Sequence, residues 1–214
     1  MKIWDDMEQR SEQWFRARAG RPTASEFSRI ITETGKDSGQ WDDYAIELAA
    51  QCLRPDEVAW TGNRHTDRGE ELEPEARELF SELMDLETRE VGFVTRDDQV
   101  IGCSPDSLVY RPNRRKPIAG LEIKCPLSKH HARYLLEGVL PGAYRAQVHG
   151  GMAVTRLRCW YFMSYCPGLA PFVLRVEWDD YTDKLSDALD RFLIFYAARR
   201  KQVLPVLEGK AVAA

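Results

Sequence analysis

Residues 120–126 read Gly-Leu-Glu-Ile-Lys-Cys-Pro, a pattern typical of a β-strand with one charged face. Side chains at alternate positions of a strand point to the same side, so Glu122 and Lys124 share one face while their apolar neighbours share the other. Asp106 lies in a second strand-like region, within the sequence Ser-Pro-Asp at residues 104–106. If the two strands are neighbours, two carboxylates and one ammonium group meet at one point.

Two interpretations fit this cluster. In the first, the carboxylates hold a hard divalent cation such as Mg²⁺, which takes oxygen ligands and few of them from protein, and present water to a phosphodiester. In the second, Glu122 and Lys124 form a surface ion pair on an edge strand, which contributes little to stability. A charged pair that faces the interior would be costly unless it were paired or metal-bound. Taken alone, the short pattern divides evenly between the two.

Composition indicates a soluble, intracellular protein. The chain has 214 residues, of which 43% are hydrophobic and 30% charged, and we predict a single domain over residues 1–214. No apolar run approaches the length of a membrane span, and the N-terminus has acidic residues where a signal peptide needs a basic start and an apolar stretch. We therefore expect a cytoplasmic protein with no membrane partner.

The five cysteines are scattered along the chain without a Cys-x-x-Cys pair. An odd number at wide spacing favours neither a disulfide framework nor a zinc site. Iron-sulfur nucleases do use four scattered cysteines, but Cys125 and Cys159 fall in strand-like runs, where packing is the simpler interpretation. We expect buried, reduced thiols.

The net charge of −4 is unevenly distributed along the chain. Residues 56–90 hold twelve acidic and four basic residues, whereas residues 111–133 hold seven basic residues against Glu122 alone. Residues 10–30 add five arginines against two glutamates. Each segment by itself is most simply a solvated surface. Two basic segments around a carboxylate cluster also suit a metal-dependent nuclease, which needs acid at its centre and positive surface around it.

Hydrophobic periodicity predicts an α/β fold with a mixed central β-sheet flanked by α-helices. Predicted helices cover residues 11–18, 26–31, 41–53, 69–84, 129–140, 143–155 and 181–201. Predicted strands cover residues 91–94, 100–103, 107–110, 120–125, 159–165 and 172–178. Ser11 is the expected N-cap of the first helix. Pro74 fits only the first turn of a helix, so we expect the regular part of the fourth helix to begin near Glu73.

Six ordered blocks of the sequence resemble one known family. They are Trp14 to Ser25, Gly69 to Arg77, Cys103 to Asp106, Leu121 to Pro126, Tyr144 to Val148 and Trp160 to Tyr165. In these blocks the chain resembles the phage lambda exonuclease family, also called the YqaJ-type viral recombinase family, within the PD-(D/E)xK nuclease superfamily. The resemblance covers most of the chain and implies a restriction-endonuclease-like core. Ser107 departs from the family pattern, which usually has glycine after the aspartate; the change affects a turn and removes no ligand.

The resemblance implies that Asp106 and Glu122 are the central ligands of Mg²⁺, helped by the backbone carbonyl of Ile123, with Glu73 as an outlying carboxylate. Two ions are implied, and Mn²⁺ could substitute for Mg²⁺. Lys124 would orient or deprotonate the attacking water and offset charge on the phosphate. Without the resemblance, Glu73 would be one solvated glutamate among several on an acidic helix.

The resemblance also implies a pocket for a 5′-terminal phosphate, formed by Arg18, Ser25, Ser104 and Gln147. A guanidinium group matches phosphate geometry, and hydroxyls and a carboxamide supply neutral donors. For Ser25 alone a helix N-cap is an equally good interpretation, and Arg18 alone would be ordinary surface charge.

Further residues near these blocks have less specific roles. Tyr144 and Arg145 are candidate DNA contacts, with a position in the core as the alternative for Tyr144. His130, His131 and His149 lack a third ligand at metal-binding spacing, so we expect surface or DNA-proximal roles for them.

The resemblance implies a 5′-to-3′ exonuclease that degrades one strand of linear duplex DNA to 5′ mononucleotides and leaves a 3′ single-stranded tail for recombination by strand annealing. It also implies a homotrimeric ring around DNA and a single-strand annealing protein as partner, in a bacterial or phage-infected cell. Two alternatives stay open: an endonuclease of the same superfamily, and a DNA-end-binding recombination accessory protein without catalysis. The presence of Asp106, Glu122 and Lys124 together argues against the second.

Overall fold

The computed structural model describes residues 1–58 and 64–210 of the chain, without the side chains of residues 58 and 64–67. The helices are α1 (Glu12–Arg18), α2 (Trp41–Gln51), α3 (Arg64–Met84), α4 (Ser128–Glu137), α5 (Gly142–Thr155) and α6 (Asp180–Leu207). The strands are β1 (Lys2–Trp4), β2 (Glu87–Arg89), β3 (Phe93–Thr95), β4 (Gly102–Cys103), β5 (Ser107–Tyr110), β6 (Ala119–Lys124), β7 (Cys159–Ser164) and β8 (Phe172–Glu177). Short 3₁₀ helices cover Ala24–Arg29 and Pro55–Val58. Within these described ranges, no helix has the length and apolar character that crossing a membrane requires.

The central sheet has five strands in the order β2-β5-β6-β7-β8. β6 and β7 are parallel, with Glu122 opposite Phe162, and the other neighbouring pairs are antiparallel. Parallel strands need a crossover connection, which α4 and α5 provide between β6 and β7. The predicted mixed sheet flanked by helices is confirmed, and β6 is its middle strand.

Packing on both faces of the sheet follows from the alternation of side chains along β7. Trp160 and Phe162 belong to a core that includes residues of α2, α5 and α6, whereas Tyr161 and Met163 pack in a second core with residues of α3. The apolar residues of β6 also pack in the second core, so the charged residues of this strand face the α5 side. The sheet thereby presents the predicted functional strand to a helix-covered interior.

A second sheet, with the order β1-β3-β4, is not predicted by the periodicity. β1 has three residues and pairs antiparallel with β3, with Ile3 opposite Val94. β3 and β4 overlap the strands predicted at residues 91–94 and 100–103, whereas β1 and β2 are missed because their sequences, Lys-Ile-Trp and Glu-Thr-Arg, show no strand-like apolar run. Pairing of β1 with β3 brings the N-terminal segment close to the loop that follows β4.

The predicted start of the fourth helix is wrong. α3 begins at Arg64 rather than near Glu73, and Pro74 lies inside it. Proline removes one backbone donor from the helix, but the burial of Ala76 and Phe80 against the sheet stabilises the turns that follow.

The two predicted helices near the N-terminus have different outcomes. Ser11 caps α1 as expected, because its Oγ accepts a hydrogen bond from the backbone N–H of Trp14 at 3.2 Å. The second one forms a 3₁₀ helix over Ala24–Arg29 instead of an α-helix, and Thr23 makes no side-chain capping bond to it. Ser25 lies inside this 3₁₀ helix, so its hydroxyl is not the N-cap.

Candidate active site

Glu122 and Lys124 form a buried pair on the middle strand of the central sheet. Lys124 Nζ donates a hydrogen bond to Glu122 Oε1 at 2.5 Å, and Glu122 is only 3% exposed. The alternative of a surface ion pair on an edge strand is therefore wrong. Burying a charged group costs free energy unless it has a partner of opposite charge, and here Lys124 and Glu122 are partners of each other.

Asp106 lies between β4 and β5 and is attached to β6 by two hydrogen bonds. Its backbone N–H donates to the Leu121 carbonyl at 3.1 Å, and its Oδ2 accepts from the Ile123 N–H at 2.5 Å. The first bond fixes the backbone, and the second orients the carboxylate. The structure thus brings Asp106 beside the strand that carries Glu122.

Glu73 approaches the same region from α3. Arg77, one helical turn later, pairs with Glu73 at 2.6 Å and also with Glu90. Burial raises the pKa of Glu73, and the negative charge of Asp106 raises it further, against the opposing charge of Arg77. Glu73 therefore lies close enough to Asp106 for the two charges to interact. We call Glu73, Asp106, Glu122 and Lys124 the carboxylate cluster.

The carboxyl groups of this cluster disfavour one another's ionised forms. Burial raises the pKa of Glu122, with further contributions from Asp106 and Glu73, while Lys124 opposes the shift. Burial also raises the pKa of Asp106, against the effect of Lys124. For Lys124, burial by itself would lower the pKa, but the charges of Glu122 and Asp106 outweigh it and hold the pKa above its usual value. Lys124 thus faces Glu122 and Asp106, while Glu73 has Arg77 as its own cationic partner.

The surplus of carboxyl groups suits a divalent cation, whose charge would relieve their repulsion. The side chains are nevertheless engaged by protein partners: Glu122 Oε1 accepts from Lys124 and from Gln147, and Glu73 pairs with Arg77. Across residues 1–58 and 64–210, no three Asp, Glu, His or Cys side chains converge on one point as a metal site. The residue types fit a cation, and the ligand set of Asp106, Glu122, Glu73 and the Ile123 carbonyl stays a prediction.

Arg18, the last residue of α1, lies among hydroxyl groups. Its Nη1 donates to Ser104 Oγ, and its Nη2 donates to Thr23 Oγ1 and Ser25 Oγ, all at 3.1 Å. The Trp14 ring lies 4.2 Å from Arg18 Cζ, and Trp14 Nε1 donates to Ser104 Oγ at 3.0 Å. Burial lowers the pKa of Arg18 to about 10, so the group is still charged at neutral pH. We call Arg18, Thr23, Ser25 and Ser104 the hydroxyl cluster.

Gln147 on α5 contacts the carboxylate cluster and lines the same cavity as the hydroxyl cluster. Its Nε2 donates to Glu122 Oε1 at 2.6 Å. A cavity of about 430 Å³ is lined by all four predicted phosphate-binding residues and also by Asp106, Glu122 and Lys124. Glu73 lines an adjoining cavity of about 460 Å³, which includes Asp106 as well. The predicted chemistry and the predicted phosphate recognition therefore share one space.

The two candidate DNA contacts on α5 lie in different surroundings. The Tyr144 ring stacks on Phe162 with a centroid separation of 5.3 Å, and Lys124 Nζ lies 5.3 Å from the Tyr144 ring centroid. Tyr144 is thus packed on the core and borders the carboxylate cluster. Arg145 instead donates to the Glu33 carbonyl at 3.0 Å and lies over the Tyr181 ring, so the structure does not bring it to the cavity.

Several residues of the site are missed by the sequence reasoning. Thr23 and Trp14 fall within the first matching block, so their position was a usable signal. Arg77 follows Glu73 at the i, i+4 spacing of a helical ion pair, which could also have identified it. Gln9 lines both cavities, but nothing in the local sequence indicates this.

The expectation of surface or DNA-proximal roles is wrong for His131 and His149. His131 is 0% exposed, with Nδ1 at 2.8 Å from Ser164 Oγ and Nε2 at 2.8 Å from the Ala170 carbonyl. His149 is buried, with Nδ1 at 2.7 Å from Thr182 Oγ1. Hydrogen bonds to distant residues make these positions possible for an imidazole, and sequence spacing does not reveal them.

The cysteines partly follow their prediction. All five are free thiols, as expected, and Cys103, Cys159 and Cys166 are buried. Cys52 and Cys125 are only partly buried.

Comparison with known proteins gives a consistent family and fold. The family model for the YqaJ-like viral recombinase domain matches residues 13–158. A crystal structure of the alkaline exonuclease LHK-Exo from Laribacter hongkongensis is 28% identical, covers 94% of this chain and 100% of its own, and superposes with a TM-score of 0.77. The same enzyme in complex with dAMP gives 28% identity, the same coverage and a TM-score of 0.78.

A more distant similarity supports the fold alone. A phage-related exonuclease from Haemophilus somnus is 17% identical, with a TM-score of 0.61, and the match covers 85% of this chain and 96% of that one. No curated protein matches the chain at a significant level. The structural matches confirm the restriction-endonuclease-like core that the sequence blocks imply.

Proposed function

Because this chain belongs to the family of YqaJ-like viral recombinase domains, we propose that it is a Mg²⁺-dependent exonuclease that degrades one strand of linear duplex DNA from the 5′ end. The similarity to LHK-Exo supports a DNA exonuclease in general. The products would be 5′ mononucleotides and a 3′ single-stranded tail suited to recombination by strand annealing.

The observation that carries this proposal is the cavity shared by the carboxylate and hydroxyl clusters. The partners of Arg18 are the neutral hydroxyls of Thr23, Ser25 and Ser104. A terminal phosphate could accept hydrogen bonds from the guanidinium and from these hydroxyls together, because each hydroxyl can rotate to donate. A phosphate held there would place the strand end beside Glu122 and Lys124.

The carboxylate cluster would perform the hydrolysis. When bound, Mg²⁺ would supply the positive charge that stabilises a phosphodiester under attack and lowers the pKa of a water molecule. Asp106, Glu122 and Glu73 would hold the ion, with the Ile123 carbonyl as a further oxygen ligand. Lys124 Nζ, already oriented by Glu122 Oε1 and kept protonated by its carboxylate neighbours, would donate to the attacking water to position it and would offset negative charge on the phosphate.

Family membership also supports a proposal for assembly and partners. We propose a homotrimeric ring around the DNA, cooperation with a single-strand annealing protein, and a location in the cytoplasm of a bacterial or phage-infected cell. A closed ring would keep the enzyme on its substrate although the chain carries a net charge of −4.

The deciding experiment uses linear duplex DNA, labelled at one 3′ end, with either a phosphate or a hydroxyl at the 5′ end. We expect release of 5′ mononucleotides from phosphorylated ends in Mg²⁺, no release in chelator, and intact 3′ labels until late in the reaction. Asp106→Asn should abolish release, whereas Asp187→Asn, an exposed aspartate on α6, should not.

The alternatives give different outcomes in the same assay. Cutting of closed circular duplex would identify an endonuclease. A folded protein that binds DNA ends in Mg²⁺ without releasing nucleotides would contradict the catalytic assignment and favour an accessory protein.

A further inference from the structure

Gln9, in the segment between β1 and α1, uses both N–H groups of its carboxamide on backbone carbonyls of distant segments. Its Nε2 donates to the Val91 carbonyl at 2.8 Å and to the Pro105 carbonyl at 2.9 Å. A glutamine amide has two donors, so both are used. Neither bond contributes to a helix or a strand, and both act between parts of the chain far apart in sequence.

The bond to Pro105 affects the residue that follows it, Asp106. Proline has no backbone N–H, so its carbonyl is the one backbone group through which Pro105 can be hydrogen-bonded. On its other side, Asp106 is attached to β6 through the Leu121 carbonyl and the Ile123 N–H. The position of the Asp106 backbone is thus fixed from β6 on one side and from Gln9 on the other.

Trp14 bridges the same two segments. Its Nε1 donates to the Gly92 carbonyl at 2.8 Å and to Ser104 Oγ at 3.0 Å. Gly92 approaches the N-terminal segment so closely that a Cβ atom there would lie 2.0 Å from the Met7 carbonyl oxygen. The N-terminal segment therefore packs tightly across residues 91–92 and 104–105, and Gln9 is its contact closest in sequence to Asp106.

Gln9 also lies where the two cavities adjoin. Gln9 and Asp106 line both the cavity shared by the two clusters and the adjoining cavity that Glu73 lines. A shorter side chain at this position would free the Pro105 carbonyl and remove material between the cavities. The Asp106 carboxylate would then lose one of the restraints on its direction.

We propose that Gln9 is a positioning residue for Asp106, acting through the Pro105 carbonyl without contact with the DNA. This inference rests on the proposed function, because it assigns Gln9 to the orientation of a carboxylate that would hold Mg²⁺. Residues that orient metal ligands typically change metal affinity or activity by about 10- to 100-fold when replaced. None of the side-chain hydrogen bonds of Arg18 and Ser104 involves Gln9, so recognition of the 5′ end should be preserved in a Gln9 variant.

The test compares Gln9→Ala and Gln9→Glu with the wild-type protein on 5′-phosphorylated linear duplex. We expect kcat to fall by about 10- to 100-fold, with KM for DNA and the preference for phosphorylated ends unchanged. Gln9→Glu should lose as much as Gln9→Ala, although it has the same size, because a carboxylate cannot donate to two carbonyls. A second readout is the rise in Tm on Mg²⁺ addition without DNA, which should require more Mg²⁺ in both variants.

A matched control is Trp41→Phe, which removes a different side-chain bond to a backbone carbonyl, from Trp41 Nε1 to Ile30 at 2.8 Å. It should lower Tm while kcat and the Mg²⁺ dependence stay within twofold of wild type. If Gln9→Ala lowers Tm like the control but keeps kcat and the Mg²⁺ response, the role is structural and the proposal is overturned. If KM or end preference changes instead of kcat, Gln9 serves phosphate recognition, which also overturns it.

Failure of the proposed function would look different. A wild-type protein that releases no nucleotides contradicts the exonuclease assignment, and the Mg²⁺ response of Tm then still decides the role of Gln9. A difference between wild type and Gln9→Ala supports the positioning role, and equal responses contradict it.

Discussion

The carboxylate cluster and the hydroxyl cluster share one cavity, but they balance charge in opposite ways. In the first, Lys124 is bonded to Glu122 at 2.5 Å, and the surrounding carboxyl groups have raised pKa values because burial and mutual repulsion disfavour their charge. In the second, a charged guanidinium is surrounded by hydroxyls at 3.1 Å. The first cluster has an excess of negative groups and suits a cation. The second has a cation with neutral partners and suits an anion.

Under the proposed function, this difference corresponds to a division of roles in which one cluster would perform the chemistry and the other would select the substrate end. Substitutions in the carboxylate cluster should therefore act on turnover, and those in the hydroxyl cluster on recognition. Gln147, which contacts the first cluster and lines the cavity with the second, should act on both.

The largest expected effect comes from Lys124→Ala. Removal of the ammonium takes away the group that would position water and offset charge on the phosphate, and loss of such an electrostatic contact typically lowers kcat by about 10²- to 10³-fold. Steady-state kinetics on phosphorylated linear duplex measures it, with Lys201→Ala on the exposed side of α6 as the control. If the folded Lys124→Ala protein has a kcat within tenfold of wild type, Lys124 has no catalytic role.

The next largest effect is predicted for Arg18→Ala, and it should appear in recognition. Loss of charge-assisted hydrogen bonds to a phosphate should reduce the preference for 5′-phosphate over 5′-hydroxyl ends by about 10- to 100-fold. Competition between the two substrates measures it. Arg16→Ala, on the same helix with an exposed ion pair to Glu12, is the matched control. An unchanged preference for 5′-phosphate ends in the Arg18→Ala variant would show that the hydroxyl cluster does not select the substrate end.

A smaller, mixed effect is expected for Gln147→Ala. The variant loses one hydrogen bond to Glu122, so we expect about a fivefold change in kcat together with a similar weakening of end preference. The same kinetic assays report both quantities, and Gln202→Ala on α6 serves as control. A change confined to one quantity would assign Gln147 to one cluster alone.

The smallest expected effect is on stability at acidic pH. It concerns His149, a buried residue that belongs to neither cluster. Burial lowers the pKa of His149 from 6.5 to about 4, with Arg145 acting in the same direction and Asp179 opposing. The folded state therefore favours neutral His149, and its contribution to stability is complete above pH 6.5 and is lost as the pH falls from 6.5 towards 4. His149→Gln should keep a hydrogen bond to Thr182 and show a weaker loss of Tm over this range than wild type.

The pH dependence of Tm has to be compared between His149→Gln and wild type, because other buried groups change stability in the opposite direction as the pH falls. The raised pKa values of Glu73 and Glu122 favour their protonated forms in the folded state, which stabilises it as the pH falls. Identical pH profiles of Tm for wild type and His149→Gln would contradict the role given to His149.

The parts of the site that lie on one strand could be predicted from sequence, and the parts that depend on packing could not. Strand geometry alone places Glu122 and Lys124 on one face, and the structure has them bonded there. The contact of Gln147 with Glu122 depends instead on how α5 crosses β6, which no local pattern encodes. For the hydroxyl cluster, the family resemblance identified three residues and missed Thr23, whose hydroxyl completes the set of partners around Arg18.

For the fold as well, features that depend on contacts between distant parts of the chain could not be predicted from sequence. The long, periodic elements were predicted, because each carries enough residues to establish a period, but α3 begins well before its predicted start and α6 continues to Leu207 beyond its predicted end. β1 and β2 have three residues each and depend on pairing with distant strands for their existence. His131 and His149 were placed wrongly for a related reason, since their partners Ser164 and Thr182 lie on other elements.

The bonds of Gln9 to residues 91 and 105 have a consequence for the protein during its synthesis. A growing chain cannot close these contacts before Pro105 has left the ribosome, and the cavity also needs Glu122 and Gln147. At about 5–20 residues per second, the interval between Gln9 and Gln147 is on the order of ten seconds. During that time the nascent chain lacks the cavity in which the carboxylate and hydroxyl clusters come together. A complete candidate active site can therefore form only after most of the chain has been synthesised.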